Sequence, residues 1–234
     1  MARPQTESPL AARPLVCLVT DRSRIPHPGG TDGRAELVEF VQGAARAGVD
    51  LIQIRERDLD GRDLYELVCR CVQAVARTDA HVLVNDRLDV AVAGGAAGVH
   101  LRSDSLDGSR ARRIGPPGFL IGRSIHGLNE AVAVAKCGKL DYLIAGTVFP
   151  TPSKQPAQGY LGLEELRAVV ERVTVPVLAI GGVTSSTKIG AVASTGAAGF
   201  AAIGLFVQAG TDSEQLAQLV RRARRAFDTS GSVP

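Results

Sequence analysis

The stretch "ASTGAAGFAAIG", residues 193–204, decides how the chain is read. A run of small residues meets a glycine, and a short apolar run without polar alternation follows at once. Glycine just past the last turn of a helix takes the left-handed conformation that other residues resist. An apolar run that does not alternate is buried on both faces, as in a parallel sheet. The same order recurs in "ARAGVDLIQIR" (45–55) and "AGGAAGVHL" (93–101). Helix, glycine stop and buried strand form one repeating unit.

Outward from these three, the rest of the chain keeps the alternation. Strand-like runs are "LVCLVT", "LIQIRE", "HVLVND", "GVHL", "FLIGRS", "DYLIAG", "VPVLAIGG" and "GFAAIG". Between them lie helical spacings such as "RAELVEFVQGAARAG", "RDLYELVCRCVQAVAR", "NEAVAVAKCG" and "GLEELRAVVERV". Eight parallel strands with crossover helices in 234 residues close most simply into a barrel. The rival is an open doubly wound sheet. It would want a G-x-G-x-x-G turn after the first strand, which "LVCLVTDRSRIPHPGG" does not supply. The expectation is therefore an α/β chain, a single-domain (β/α)8 TIM barrel over residues 15–228. A flexible tail is expected at 1–14 and a second tail at 229–234.

Composition bounds the function. Hydrophobic residues at 45% and charged residues at 22% are those of a globular protein with a full core. Aromatics are only 4% and Trp is absent, so stacking on single-stranded nucleic acid has little to work with. The net charge of +3 would suit phosphorylated small molecules. Much of it lies in "RRARRAF" (221–227), read as the wet face of a final helix. Cys17, Cys69, Cys71 and Cys137 sit in apolar runs without zinc-site spacing, which reads as buried free thiols and a cytoplasmic protein. The N-terminal stretch has no apolar signal core and no run reaches membrane-spanning length. Nucleic-acid and membrane partners are not expected, and a homo-oligomer is left open.

A barrel of this kind carries its chemistry just after the strands, at the C-terminal rim. Gln53, Arg55 and Arg57 alternate in "QIRER" and share one face, either a phosphate or carboxylate grip or a structural ion-pair layer. Asn85 and Asp86 follow the third strand, as helix caps or as a substrate contact and a magnesium ligand. Ser124 and His126 end the fifth strand, and an imidazole there is a credible proton donor or acceptor. The Pro- and Gly-rich loop "GTVFPTPSKQPAQGY" (146–160) brings Thr151, Ser153 and Lys154 over a bound anion. Gly182 after the seventh strand, with Ile203 and Gly204 after the eighth, offers backbone amides to a phosphate. A short extra helix over "GLFVQ" would add its dipole.

These stretches resemble the thiamine phosphate synthase / TenI family from about residue 15 to 207. The matching pieces, in order, are "QIRER", "VNDRLDVA", "GVHL", "IGRSIHGLNEA", "GTVFPTPSK" and "VPVLAIGGV". The resemblance implies a (β/α)8 barrel acting on the thiazole phosphate of thiamine biosynthesis. It implies one of two activities: a synthase that joins a pyrimidine pyrophosphate to thiazole phosphate with magnesium, or a TenI-type tautomerase that moves a proton. Two departures bear on the choice. Synthases usually follow G-V-H-L with G-Q-x-D, whose Asp is a second magnesium ligand. Here the text is "GVHLRSDSLDG", with Ser105 in that place and Asp104 one residue early. Arg57 stands where the family pattern has lysine.

The missing carboxylate and the "RSIH" segment lead to the expectation of a thiazole tautomerase, with His126 as acid–base and no metal required. The alternative is a thiamine phosphate synthase with a reworked magnesium site on Asp86. A non-catalytic binder of thiazole or thiamine phosphate is a third reading.

Overall fold

The computed structural model describes residues 10, 14–151 and 159–230. Eight strands form one closed parallel barrel in sequence order. They are β1 Leu15–Val19, β2 Leu51–Ile54, β3 His81–Asn85, β4 Gly98–Leu101, β5 Leu120–Ile125, β6 Tyr142–Gly146, β7 Val177–Ile180 and β8 Gly199–Ala202. β8 pairs back onto β1, with Cys17 opposite Ala201, so no sheet edge is left. The interleaved helices are α1 Arg34–Arg46, α2 Gly61–Val75, α3 Leu88–Ala93, α4 Gly108–Ile114, α5 Leu128–Cys137, α6 Gly162–Arg172 and α7 Ser186–Ala193. The expected extra helix is present as α8, Gly204–Ala209, followed by α9, Ser213–Ser230. The last helix thus continues two residues into the segment expected to be a tail. Residues 1–9, 11–13 and 231–234 lie outside the described residues.

The glycine stops behave as the repeat requires. Gly48, Gly95 and Gly196 have φ of 92°, 68° and 79°, each just before a strand. α2 shows how the intervening helices are built. Asp60 caps it by accepting from the Asp63 amide at 2.8 Å. Leu64, Leu67, Val68, Cys71 and Val75 then recur at helical spacing and are all buried.

Two apolar clusters hold the barrel. The larger lies between strands and helices and contains Val16, Leu18, Ile52, Ile54 and Val84. The smaller fills the barrel itself with Leu15, Cys17, Leu51, Leu83, Leu120, Tyr142 and Leu178. Alternation along each strand assigns residues to one cluster or the other. Tyr142 needs room inside: a Cβ on Gly122 would come 2.0 Å from its ring. Above this plug the inward positions turn polar, at Gln53, Asn85, His100 and Ser124.

The Arg-rich final helix is only partly a wet face. Arg224 donates to the Gly48 carbonyl at 2.9 Å and pairs with Asp50 at 2.9 Å. Asp50 also accepts from the Val16 amide at 2.8 Å, so α9 is tied to the foot of β1 and β2. Among the described residues no helix is long and apolar enough to cross a membrane.

Candidate active site

At the ends of β1 and β2 a buried carboxylate organises the rim. Glu56 is 5% exposed. It accepts from the Thr20 hydroxyl at 2.6 Å and from the Arg22 amide and guanidinium, each at 3.1 Å. The Thr20 oxygen in turn accepts from the Arg55 amide at 2.9 Å. Ile54 packs outward, and the residue after Arg55 is the ion-paired one: among the described residues the ion pair here is Glu56 with Arg22 and involves neither Arg55 nor Arg57. Among the described residues the Arg55 guanidinium has no hydrogen bond or ion pair. Burial, then the Arg57 charge, pulls its pKa below the ordinary value; Arg102 acts in the same direction, against Asp21 and Glu56. A half-buried guanidinium without a protein partner, with further guanidiniums nearby, is suited to an anion.

Gln53 lies inside the barrel and donates to the Asn85 side-chain oxygen at 3.0 Å. Neither Asn85 nor Asp86 caps α3, whose N-cap is Arg87 without a side-chain bond. Asp86 instead sits at φ 64°, a left-handed turn that Asp tolerates better than most residues. Its amide donates to the His100 carbonyl at 2.9 Å, which aims the side chain toward β4. There the Ser105 hydroxyl donates to the Asp86 carboxylate. Arg102 lies 4.0 Å from Asp86 and 2.6 Å from Asp104. Ser105 therefore occupies the place beside Asp86, while the Asp104 side chain is 66% exposed and held by Arg102. Asp104 does not stand in for the missing carboxylate.

Across the mouth, Ser124 bonds His100 Nε2 at 2.9 Å, and His100 Nδ1 meets the Tyr142 hydroxyl at 3.1 Å. Burial, helped by the Arg123 charge, lowers the His100 pKa to about 3, so the ring is neutral. His126 lies further out. Its side chain is 54% exposed, and its ring and backbone amide both meet Glu130, at 3.4 and 2.7 Å. It stands at the rim, without the enclosure that raises an acid–base group above solvent chemistry.

The loop after β6 is pinned at its base. Leu161 donates to Thr147 at 2.8 Å, and Phe149 donates to Gly181 at 3.0 Å. Thr151 is half-buried on its way out. Ser153 and Lys154 lie outside the described residues. Gly182 has φ 68°, and a Cβ there would fall 2.6 Å from the Pro150 carbonyl oxygen. The glycine is thus required by the loop packed on it, besides any ligand. Lys188 donates to the Gly182 carbonyl at 2.8 Å and lies over the Phe149 ring at 5.2 Å. At β8, Ile203 and Gly204 open α8, and the Arg24 guanidinium lies 3.1 Å from where a Gly204 Cβ would be. Arg24, Arg102, Lys188 and Glu56 escaped sequence reasoning. Only the topology brings them to the rim.

Among the described residues no group of three or more His, Cys, Asp or Glu could hold a metal ion. Asp86 with the Ser105 hydroxyl is a set of hard oxygen donors. That fits magnesium in the mode where one or two carboxylates share the ion with substrate phosphates, and not a closed protein cage.

Comparison with known proteins gives the chain its setting. A family model described as thiamine monophosphate synthase matches residues 16–206. A thiamine-phosphate synthase from Caldanaerobacter subterraneus is 35% identical over 91% of this chain and 95% of its own length. Another from Methanoculleus marisnigri is 42% identical over 71% of this chain and 78% of its own. Among solved structures, a thiamine phosphate pyrophosphorylase from Pyrococcus furiosus has a TM-score of 0.77 at 33% identity, covering 92% of this chain and 98% of that one. These relatives overturn the tautomerase expectation. The exposed position of His126 agrees with that correction. The chain belongs to the thiamine monophosphate synthase / TenI family.

Proposed function

We propose that the protein is a thiamine-phosphate synthase, which joins a hydroxymethylpyrimidine diphosphate to thiazole phosphate and releases pyrophosphate. The reading rests on similarity to proteins of that name along nearly the whole chain. The observation that carries it is Asp86, turned toward β4 with its oxygen partner Ser105 and 4.0 Å from Arg102. A site for proton transfer alone has no need of a carboxylate beside a guanidinium with further arginines gathered nearby.

In the reaction a carbon–nitrogen bond forms as the carbon–oxygen bond to the diphosphate breaks. The departing oxygen keeps the bonding pair, so negative charge grows on the leaving group. Arg55 and Arg57 meet that charge from the end of β2, in place before it develops. Gln53 and Asn85, already bonded to each other, present amide groups to the pyrimidine from the barrel interior. Ser124, whose hydroxyl is oriented by His100, adds a second polar contact. Thr151, Ser153 and Lys154 belong to the loop that would cover the diphosphate and limit water. Gly182, Ile203 and Gly204 offer amides to the phosphate of the thiazole partner at β7 and β8, the usual phosphate corner of this fold. Asp86 and Ser105 would hold magnesium together with substrate oxygens, and the ion would supply further neutralisation of the diphosphate. His126 has no assigned step. Buried Cys17 and Cys71 fit a cytoplasmic enzyme.

The test is formation of thiamine phosphate and pyrophosphate from the two substrates. Product is expected with magnesium and should fall steeply in EDTA. Asp86→Asn should lower kcat/KM by about 100-fold, the scale of losing a main electrostatic group. No product at saturating substrates with magnesium present would overturn the reading.

A further inference from the structure

We propose that Arg102 is a direct guanidinium contact for the substrate's diphosphate, taking over charge that a second metal-ligand carboxylate would otherwise help a cation supply. The inference deepens the synthase reading above and rests on it.

The first observation is position. Arg102 immediately follows β4, beside Asp86 at the end of β3 and across it from Arg55 after β2. One guanidinium nitrogen is 4.0 Å from Asp86 and the other 2.6 Å from Asp104. A guanidinium has five N–H donors in a planar fork. One nitrogen is spent on Asp104 and the other lies at the edge of reach of Asp86, so donors remain for a ligand. The side chain is half-exposed.

The second observation is that the loop holding it is built. Arg123 on β5 is 9% exposed and points away from the barrel interior, toward the β4–α4 loop. It donates to the Ser103 carbonyl at 2.5 Å and to the Leu106 carbonyl at 2.9 Å. Its Nε is buried and has no partner among the described residues. A buried arginine without a carboxylate is a costly device, and here it fixes the backbone on both sides of Ser105. The Arg102 amide also donates to the Ser105 oxygen at 3.2 Å, so Arg102 and Ser105 are set as one unit against Asp86.

The third observation is charge. A serine in place of a carboxylate removes one negative charge beside Asp86, and an arginine three residues earlier adds one positive charge. Arg102 and Arg57 both act on Arg55, so three guanidiniums gather at the ends of β2 and β4, with Arg102 beside Asp86. A diphosphate matches that set through bidentate contacts that a lysine or an isolated cation does not give. A monophosphate would leave part of the set unused. The consequence is a site that grips diphosphate by itself and depends less on a divalent ion for binding.

The experiment is calorimetric titration of inorganic pyrophosphate into the full chain in EDTA at fixed, low ionic strength. Binding without any divalent cation is expected. Arg102→Ala should weaken it about 10- to 100-fold, the worth of one or two charged hydrogen bonds, and Arg102→Lys should recover only part of the loss. Arg113→Ala, the same charge change on exposed α4, should leave the affinity unchanged. Equal affinity in the original protein and Arg102→Ala, or no binding in EDTA, would overturn the inference. Turnover of the two substrates separates the two readings. Turnover with Arg102-independent pyrophosphate binding removes this inference alone. Arg102-dependent binding without turnover supports the guanidinium contact and removes the synthase reading alone.

Discussion

Replacing Thr20 by valine should show how strongly the rim depends on one buried oxygen. Thr20 is 1% exposed, and its hydroxyl does two things at once. It donates to Glu56 Oε1 at 2.6 Å and accepts from the Arg55 amide at 2.9 Å. Valine keeps the shape and removes the oxygen, leaving a buried carboxylate oxygen and a backbone N–H without their partners. Each such orphan costs about 1–3 kcal/mol. The other carboxylate oxygen keeps both Arg22 contacts, which limits the damage to roughly 2–4 kcal/mol in total. In a chain of this length that is a fall in Tm of about 5–15 °C. Thr20→Ser keeps the oxygen and loses one methyl, about 0.8 kcal/mol. Urea unfolding followed by circular dichroism measures both. The same bond holds the Arg55 backbone, so synthase kcat/KM should drop about tenfold in the valine variant and stay near normal in the serine one, the tenfold being about 1.4 kcal/mol of lost orientation. A valine variant as stable and active as the serine variant would refute the clamp.

His100 is neutral in the fold, with a pKa of about 3, so the unfolded chain takes up its proton first as pH falls. Its contribution is complete above about pH 6.5 and is lost progressively down to about pH 3, roughly 1 kcal/mol per pH unit; His100→Gln should flatten that part of the stability–pH curve, and an unchanged slope would count against a buried neutral ring. Gly182→Ala must place a Cβ 2.6 Å from the Pro150 oxygen at φ 68°. It should lower stability by at least about 1–2 kcal/mol from the left-handed backbone alone, visible as a lower Tm, whereas an unchanged Tm would mean that the loop is not packed on the glycine as described. His126→Ala should change kcat/KM of the synthase reaction by no more than about twofold, as for a surface residue; a fall beyond tenfold would bring the imidazole into the reaction.

Legibility in the sequence followed the range of the interactions. The strands, the crossover helices and the glycine stops at Gly48, Gly95 and Gly196 are local, and their periods were enough to close the barrel and set its C-terminal rim. That in turn located Arg55, Asn85, Asp86, Ser124 and Gly182 at strand ends, because a strand end is a position along the chain. What periodicity cannot give is which side chains meet across neighbouring strands. Glu56 shares the outward parity of Ile54 along the strand, yet it reaches back to Thr20 and Arg22, more than thirty residues earlier. Arg224 looked like surface charge, yet it ties α9 to Asp50, 174 residues away in sequence.

The choice of chemistry failed for a related reason. Ser105 was weighed as the loss of one ligand, one residue at a time, and a single lost carboxylate argued against a cation-assisted reaction. In space the substitution is not single. Arg123 holds the loop, Ser105 bonds Asp86, and Arg102 brings a positive charge to the same spot. A site's capacity to stabilise a departing anion depends on its summed field. Replacing a carboxylate while adding a guanidinium moves that sum toward the anion even as it weakens the hold on a metal. Counting expected ligands at their expected places therefore misjudges such a site, because charge that serves the same leaving group can come from a neighbouring position on the same loop.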